Sequence, residues 1–459
     1  MYALIIAVFI VGYVGIALEH TININKTAIA IVVGILCWTL FMFATPGESL
    51  TQSQNYNTFV EIFKLESGVS SIDQISPEHL QREFVNFSLA EHLGSIAQIL
   101  FFLLGAMTIV ELVDAHQGFR IITDRIRTQN PVKLLWSVCW ITFFLSSILD
   151  NLTTTIVMVS LMRKLIGDRE RKLLFLSMII IAANAGGAWT PIGDVTTTML
   201  WIGGKITSLN IVKTLLVPSV FCLLAPLVVV SYSLRGESEY SQVASKTDVH
   251  HTTRHGKVML FLGIGALVSV PLFKTFAHMP PYTGILLGLG LLWIVSELIN
   301  PDLDEAAKKH YTVAGALSRI DVPSVLFFLG ILLAVGALES MQVLYELARV
   351  LDNTFGDQRI IIALIGLLSA IVDNVPLVAA AMGMYDPVVH PTDHLVWEFL
   401  AYCAGTGGSI LIIGSAAGVA VMGMEKVSFV WYLRKISLLA LLGYLAGILA
   451  YVVTYPIFH

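Results

Sequence analysis

The 459-residue sequence predicts an all-α polytopic membrane protein with an inverted-topology repeat. Each half is expected to hold five transmembrane helices and one re-entrant hairpin, with broken helices meeting at the bilayer midplane. Three observations predict this: an apolar composition, apolar runs of span length, and a charged hairpin motif that occurs twice with differently charged flanks. Hydrophobic residues make up 56% and charged residues only 13%, where soluble domains carry about 25% charge. The mean hydropathy is +0.79. Runs of the roughly 17–25 residues that a bilayer demands recur from Tyr2 to Val453 without alternating in polarity, so they are helices rather than barrel strands.

In chain order the spans fall near 2–18, 26–44, 96–113, 172–204, 214–233, 258–278, 283–298, 323–339, 397–425 and 428–453. The first lacks a basic leader, which favours a retained span over a secretory signal. Residues 45–95 are acidic and suit an external loop with an amphipathic helix near 76–92. Segment 134–162 follows Arg120, Arg125, Arg127 and Lys133 and precedes Arg163, Lys164, Arg169, Arg171 and Lys172, so both of its ends are cytoplasmic. Its 29 residues would measure about 44 Å as one straight helix, against a hydrocarbon core of roughly 30 Å. A hairpin that enters and returns fits, with Asp150 and Asn151 at its tip. The second such segment, 360–385, precedes a loop from Asp386 to Trp397 without Lys or Arg, so it opens to the outside.

The two hairpins are copies: Ser146-x-x-x-Asp150-Asn151 matches Ser369-x-x-x-Asp373-Asn374, and Pro376 stands where Thr153 does. Downstream, "GGAWTPIGD" from Gly186 matches "GGSILIIGS" from Gly407 with identical glycine spacing. The first inverted repeat thus covers 1–240, with hairpin 134–162 and broken helix 172–204. A cytoplasmic connector covers 241–257, and the second repeat covers 258–459, with hairpin 360–385 and broken helix 397–425. Inverted repeats of this kind place substrate and ion sites at the midplane, where discontinuous helices meet.

Asp150 and Asp373 carry the chemistry first, because an ionisable group at membrane depth costs about 2.5–3.5 kcal/mol even on lenient scales. An N-cap would explain one such acid; its recurrence in both halves points to function. The breaks at Gly186-Gly187 and Gly407-Gly408 free backbone carbonyls, which together with carboxylates are oxygen ligands for a hard cation. Asp194 follows the first break, and its counterpart is Ser415. Supporting oxygens or close backbone approach are expected from Ser146, Thr153, Asn184, Gly187, Thr190, Thr196, Ser369, Gly408, Ser409 and Ser415. A cation, Na⁺ by expectation, and protons that share Asp150, Asp194 and Asp373 exclude each other, and exclusion with alternating access gives exchange. Glu91, Glu111 and Asp114 are candidates for a proton route, although acids near helix ends also sit there for solvation alone. Glu339 is similar. His250, His251 and His255 read as a solvated cluster on the connector. The four cysteines share no CxxC spacing and read as small apolar residues.

The segments "SSILDNLTTTIVMVSL", "NAGGAWTPIGDVTTTMLW", "SAIVDNVPL" and "GTGGSILIIGSAAGVA" resemble the signatures of the NhaD-type sodium/proton antiporters within the ion transporter superfamily, over about residues 90–450. The resemblance implies exchange of Na⁺ or Li⁺ for H⁺ across a bacterial inner membrane, with Asp150, Asn151, Asp194, Asp373 and Asn374 essential. It also implies a homodimer in membrane lipid, with a scaffold and a moving transport domain; no cofactor is expected, and a formal charge of −5 without a dense cluster of Lys and Arg gives no reason to expect a nucleic-acid partner. A citrate or arsenite carrier of the same superfamily is the alternative. Acids at both tips, and no arginine in either hairpin or break, count against an anion. An intramembrane aspartyl hydrolase, using the two aspartates as an acid/base pair, is the alternative of another class.

Overall fold

The computed structural model describes residues 1–459 except 18, 23, 46, 52, 68–74, 124–127, 129, 236–253, 300–310, 372 and 459. Among the described residues all regular structure is helical, and six helices are long and apolar enough to cross a membrane. The chain is therefore an all-helical polytopic membrane protein. Most of the connector, with His250 and His251, lies outside the described residues, as do Arg125 and Arg127.

The chain divides into two compact units. The first unit comprises Met1–Leu100, Asp321–Ile361 and Val375–His390. It holds α1 (Tyr2–Ala17), α2 (Lys26–Met42), α3 (Gln54–Ser67) and the N-terminal part of α4 (Pro77–Ala115). The second unit comprises Phe101–Ile320, Ile362–Asn374 and Pro391–His459. In it lie α5 (Pro131–Ser146), α6 (Asn151–Leu165), α7 (Arg169–Gly187), α8 (Val195–Ile202), α9 (Ser208–Ser233), α10 (Arg254–Ala277) and α11 (Pro281–Ile299). Returning to the first unit, the chain forms α12 (Val322–Ser340) and α13 (Val343–Phe355), then α14 (Gln358–Leu368) and α15 (Asn374–Met384), whose residues are shared between the units. The second unit closes with α16 (Leu395–Gly407), α17 (Ala416–Glu425), α18 (Phe429–Lys435) and α19 (Ser437–Phe458).

Close backbone approach organises both units. In the first, α2 crosses α12 at Gly34 and Gly330, where a Cβ on Gly34 would stand 2.5 Å from the Gly330 oxygen. The Trp38 indole N–H donates to the Leu333 carbonyl at 2.8 Å. In the second, α9 and α19 meet at Gly443 and Gly447; a Cβ at Gly447 would stand 2.7 Å from the Pro218 oxygen. Small residues four apart let membrane helices pack at this range, where dispersion rather than the hydrophobic effect drives association.

Three elements differ from the sequence expectation. The amphipathic helix near 76–92 and the span 96–113 form one helix, α4, because nothing in between breaks it: Gly94 lacks only a side chain, and its surroundings are open. The span 428–453 is divided at Ile436, whose N–H closes α18 onto the Tyr432 carbonyl at 2.8 Å. Helix α13 was not anticipated. It places Leu344 and Ala348 inward and Glu346 and Arg349 outward, an amphipathic pattern hidden between two apolar runs.

Candidate functional site

The site residues lie where four helix pairs are interrupted. Pro131 opens α5, and the Asn130 side chain caps it by accepting from the Lys133 N–H at 3.1 Å. The helix ends at Ser146; four residues later Asp150 caps α6, its two carboxylate oxygens accepting from the Thr153 N–H and hydroxyl, each at 2.7 Å. The capping role weighed from sequence is thus performed by Asp150. In α7 every residue from Phe175 to Gly187 is buried, and the helix stops there. After the break Asp194 caps α8, accepting from the Thr196 N–H and hydroxyl at 2.9 Å each. One freed carbonyl, that of Pro191, accepts from the Thr198 hydroxyl at 2.9 Å.

The second half repeats these contacts with its own residues. Asp373 directly precedes α15, and Ser415 caps α17 by accepting from the Gly418 N–H at 3.2 Å. Ser146 donates to the Ala183 carbonyl at 2.7 Å, and Ser369 to the Ala404 carbonyl at 3.2 Å. A Cβ at Gly193 would come within 2.7 Å of the Ser146 oxygen, and one at Gly414 within 2.7 Å of the Ser369 oxygen. Gly186 and Gly407 lie against the carbonyls of Phe143 and Gly366 in the same way. Glycine is required at these positions by contact, because any side chain would push the interrupted helix off its hairpin.

One polar network joins these breaks. The Asn151 side-chain amide donates to Asp194 at 2.7 Å and to the Asn184 side-chain oxygen at 3.1 Å. The Asn184 amide in turn donates to the hydroxyl oxygens of Ser409 at 2.8 Å and Ser415 at 2.9 Å. Asp194 is only 2% exposed and Asn184 fully buried. Asp150 and Asp373, each partly exposed, lie close enough for their charges to act on Asp194. Gly187 and Gly408 back the network: a Cβ on Gly187 would stand 3.2 Å from the Asp194 Cβ, and one on Gly408 3.1 Å from that of Ser415.

The remaining expected residues divide. Thr190 donates to the Ser147 carbonyl at 2.7 Å and so ties the first break to its hairpin. Asn374 is buried at the start of α15. Among the described residues no three carboxylate, thiol or imidazole side chains stand close enough to hold a metal ion by themselves. Asp150 and Asp373 each act by charge on Asp194, and the side chains hydrogen-bonded to Asp194 are amide and hydroxyl groups. Glu111 accepts from Arg319 at 2.9 Å in an ion pair, Asp114 is exposed, and Glu91 is exposed in the first unit.

Four residues were missed. The hydroxyls of Thr154 and Thr155, near the start of α6, are buried with no protein partner. Tyr432 donates to the Ser409 carbonyl at 2.8 Å. Glu398 on α16 is fully buried, accepting from Asn210 and, at 2.9 Å, from Tyr451. The test that exposed Asp150, an acid within an apolar run, would have found Glu398 as well.

Interrupted helices in an apolar bundle, converging on a buried carboxylate with amide and hydroxyl neighbours, are an architecture that membrane transporters use. A family model described as CitMHS, citrate transporter, matches residues 7–398. Sodium/proton antiporter 1 of Arabidopsis thaliana is 47% identical over 443 residues, covering 96% of this chain and 71% of the relative. Sodium/proton antiporter 2 of the same plant is 44% identical over 96% of this chain and 97% of its own length. The Na(+)/H(+) antiporter NhaD of Vibrio cholerae is 31% identical over 80% of each chain. The chain belongs to this citrate-transporter family of the ion transporter superfamily, in its NhaD-type branch.

Proposed function

We propose that this protein exchanges Na⁺ or Li⁺ for H⁺ by alternating access, with cation and proton competing for Asp194 and its neighbours. The observation that carries the proposal is the buried Asp194 carboxylate at a chain break, hydrogen-bonded by Asn151 and acted on by the charges of Asp150 and Asp373. Three acids sharing one region favour a bound positive charge, either a dehydrated cation or a proton. The cation would take oxygen from Asp194, from the Asn184, Ser409 and Ser415 side chains and from carbonyls freed at the breaks. Thr154 and Thr155 have hydroxyl capacity to spare for an ion or its water.

The matched contacts of the two halves support duplication. With the charge bias of the flanking loops, they favour an inverted repeat whose two helix pairs, α5–α6 and α14–α15, are re-entrant hairpins. Apart from Glu91, the site residues all fall in the second unit, which is the candidate moving body. A homodimer in the bacterial inner membrane is the assembly that the family resemblance implies. The two Arabidopsis relatives extend the choice to other energised membranes.

Citrate is the second reading, favoured by the description of the matching family model. A citrate site would need positive groups facing the anion, whereas the network around Asp194 is built from acids, amides and hydroxyls. The deciding experiment uses everted vesicles with a preformed pH gradient. Na⁺ or Li⁺ is expected to discharge the gradient while citrate and arsenite do not. Discharge by citrate alone would overturn the cation assignment.

A further inference from the structure

An ion cluster outside the polar network ties together the helices that build it. Glu425, the last residue of α17, accepts from the Arg163 guanidinium through one carboxylate oxygen and from the Lys172 ammonium at 3.1 Å through the other. Arg163 also donates to the Met424 carbonyl at 2.8 Å, so it grips both the side chain and the backbone end of α17. The Glu425 side chain is only 9% exposed, and Lys172 20%. Arg163 is 45% exposed, so its pair keeps the character of a surface contact, while the Glu425–Lys172 pair is largely withdrawn from solvent.

The placement of the three partners matters more than their pairing. Arg163 lies in the last turn of α6, which starts at the Asp150 and Asn151 end; Lys172 lies in the first turn of α7, which runs to Asn184; Glu425 ends α17, which starts at Ser415. From the cluster to the network the three helices run about 15–18 Å each at 1.5 Å per residue. All three helices pack on one another. They form a tripod whose feet are joined by one carboxylate between two cations and whose tops hold Asn151, Asn184 and Ser415 within hydrogen-bonding distance.

We propose that Arg163, Glu425 and Lys172 are positioning residues for the cation site. By fixing the far ends of α6, α7 and α17 they set the spacing of the ligands at the near ends. A bound ion is held by oxygens placed to within a few tenths of an ångström; close contact at Gly408 and Gly414 fixes the start of α17, and the ion cluster fixes its end. Loosening the feet lets Ser415 and Ser409 drift from Asn184, which weakens cation binding without removing a ligand. The role in cation binding rests on the exchange reading above.

The test measures transport in everted vesicles and, on purified protein, the NaCl-dependent rise in melting temperature with choline chloride as the control. Glu425→Gln and Arg163→Gln are expected to raise the KM for Na⁺ about three- to tenfold while maximal rate per folded molecule stays within about twofold. The double variant should fall short of the product of the two single effects, since the Arg163–Glu425 contact is common to both while the Arg163 bond to the Met424 carbonyl is lost only with Arg163. Arg163→Lys, which keeps the charge, should restore most of the affinity. A purely structural role would lower the amount of folded protein and leave KM unchanged, and that result would overturn the proposal, as would additive effects in the double variant. Should Glu425→Gln fail to fold, Arg163→Lys against Lys172→Gln decides: equal KM values at wild-type level overturn it. If the wild-type protein binds Na⁺ without exchanging it for protons, the exchange reading falls while the melting comparison still judges the tripod.

Discussion

At the residue scale, Asp194 joins the two chemistries the protein needs, because its two oxygens face different partners. Oδ1 accepts from Thr196 and caps a helix; Oδ2 accepts from Asn151 and meets the network. Asp194→Asn keeps the cap and removes the charge, and is expected to lower Na⁺-driven proton movement by more than about tenfold, the effect of losing a contact worth about 1.4 kcal/mol. Asn151→Ala should raise the KM for Na⁺ and leave expression intact, checked in the same vesicles against the amount of membrane protein. Activity within twofold of wild type in both variants would remove Asp194 from the site. The sequence makes the tip acids legible because a charge in an apolar run is conspicuous and occurs twice. It hides Thr154 and Thr155, since a threonine in a membrane helix ordinarily bonds back to its own turn, and only the absence of a partner for these hydroxyls distinguishes them.

Among the elements, breaks were easier to read than continuities. Paired glycines and a proline mark where α7 and α16 end, because they remove side chains or donors at fixed spacing. The unbroken run of α4 from Pro77 to Ala115 was obscured by its change from polar to apolar surface, which alters what the helix faces and not whether it is a helix. Helix pairing was also beyond the sequence, since Gly443 and Gly447 are two among 35 glycines. Their contact with α9 predicts that Gly447→Leu costs about 1–3 kcal/mol through forced separation of the helices. A fall in melting temperature in detergent should report it. Gly290→Leu on α11, where a Cβ meets nothing within 4 Å, should leave the melting temperature unchanged. Equal losses in the two variants would mean that glycine there serves the backbone rather than the helix contact.

For the whole molecule, competition has a sign. Under the proposed exchange a proton on the shared carboxylates blocks the cation, so raising the pH on the side from which Na⁺ binds should lower the apparent KM for Na⁺. The limit is about tenfold per pH unit when a single proton competes. Transport measured at saturating Na⁺ should then change far less with pH than transport at low Na⁺, and a KM independent of pH would show that the two ions occupy separate places. The opposed charge bias of the flanking loops was readable at this scale; the division into two units was not, because it depends on which helices touch. The four cysteines, Cys37, Cys139, Cys222 and Cys403, are all unpaired and buried. A membrane-impermeant maleimide should therefore find the native chain nearly silent, so that single thiols introduced along α6 or α17 report their own wetting in each ionic condition, with no need to strip the background first.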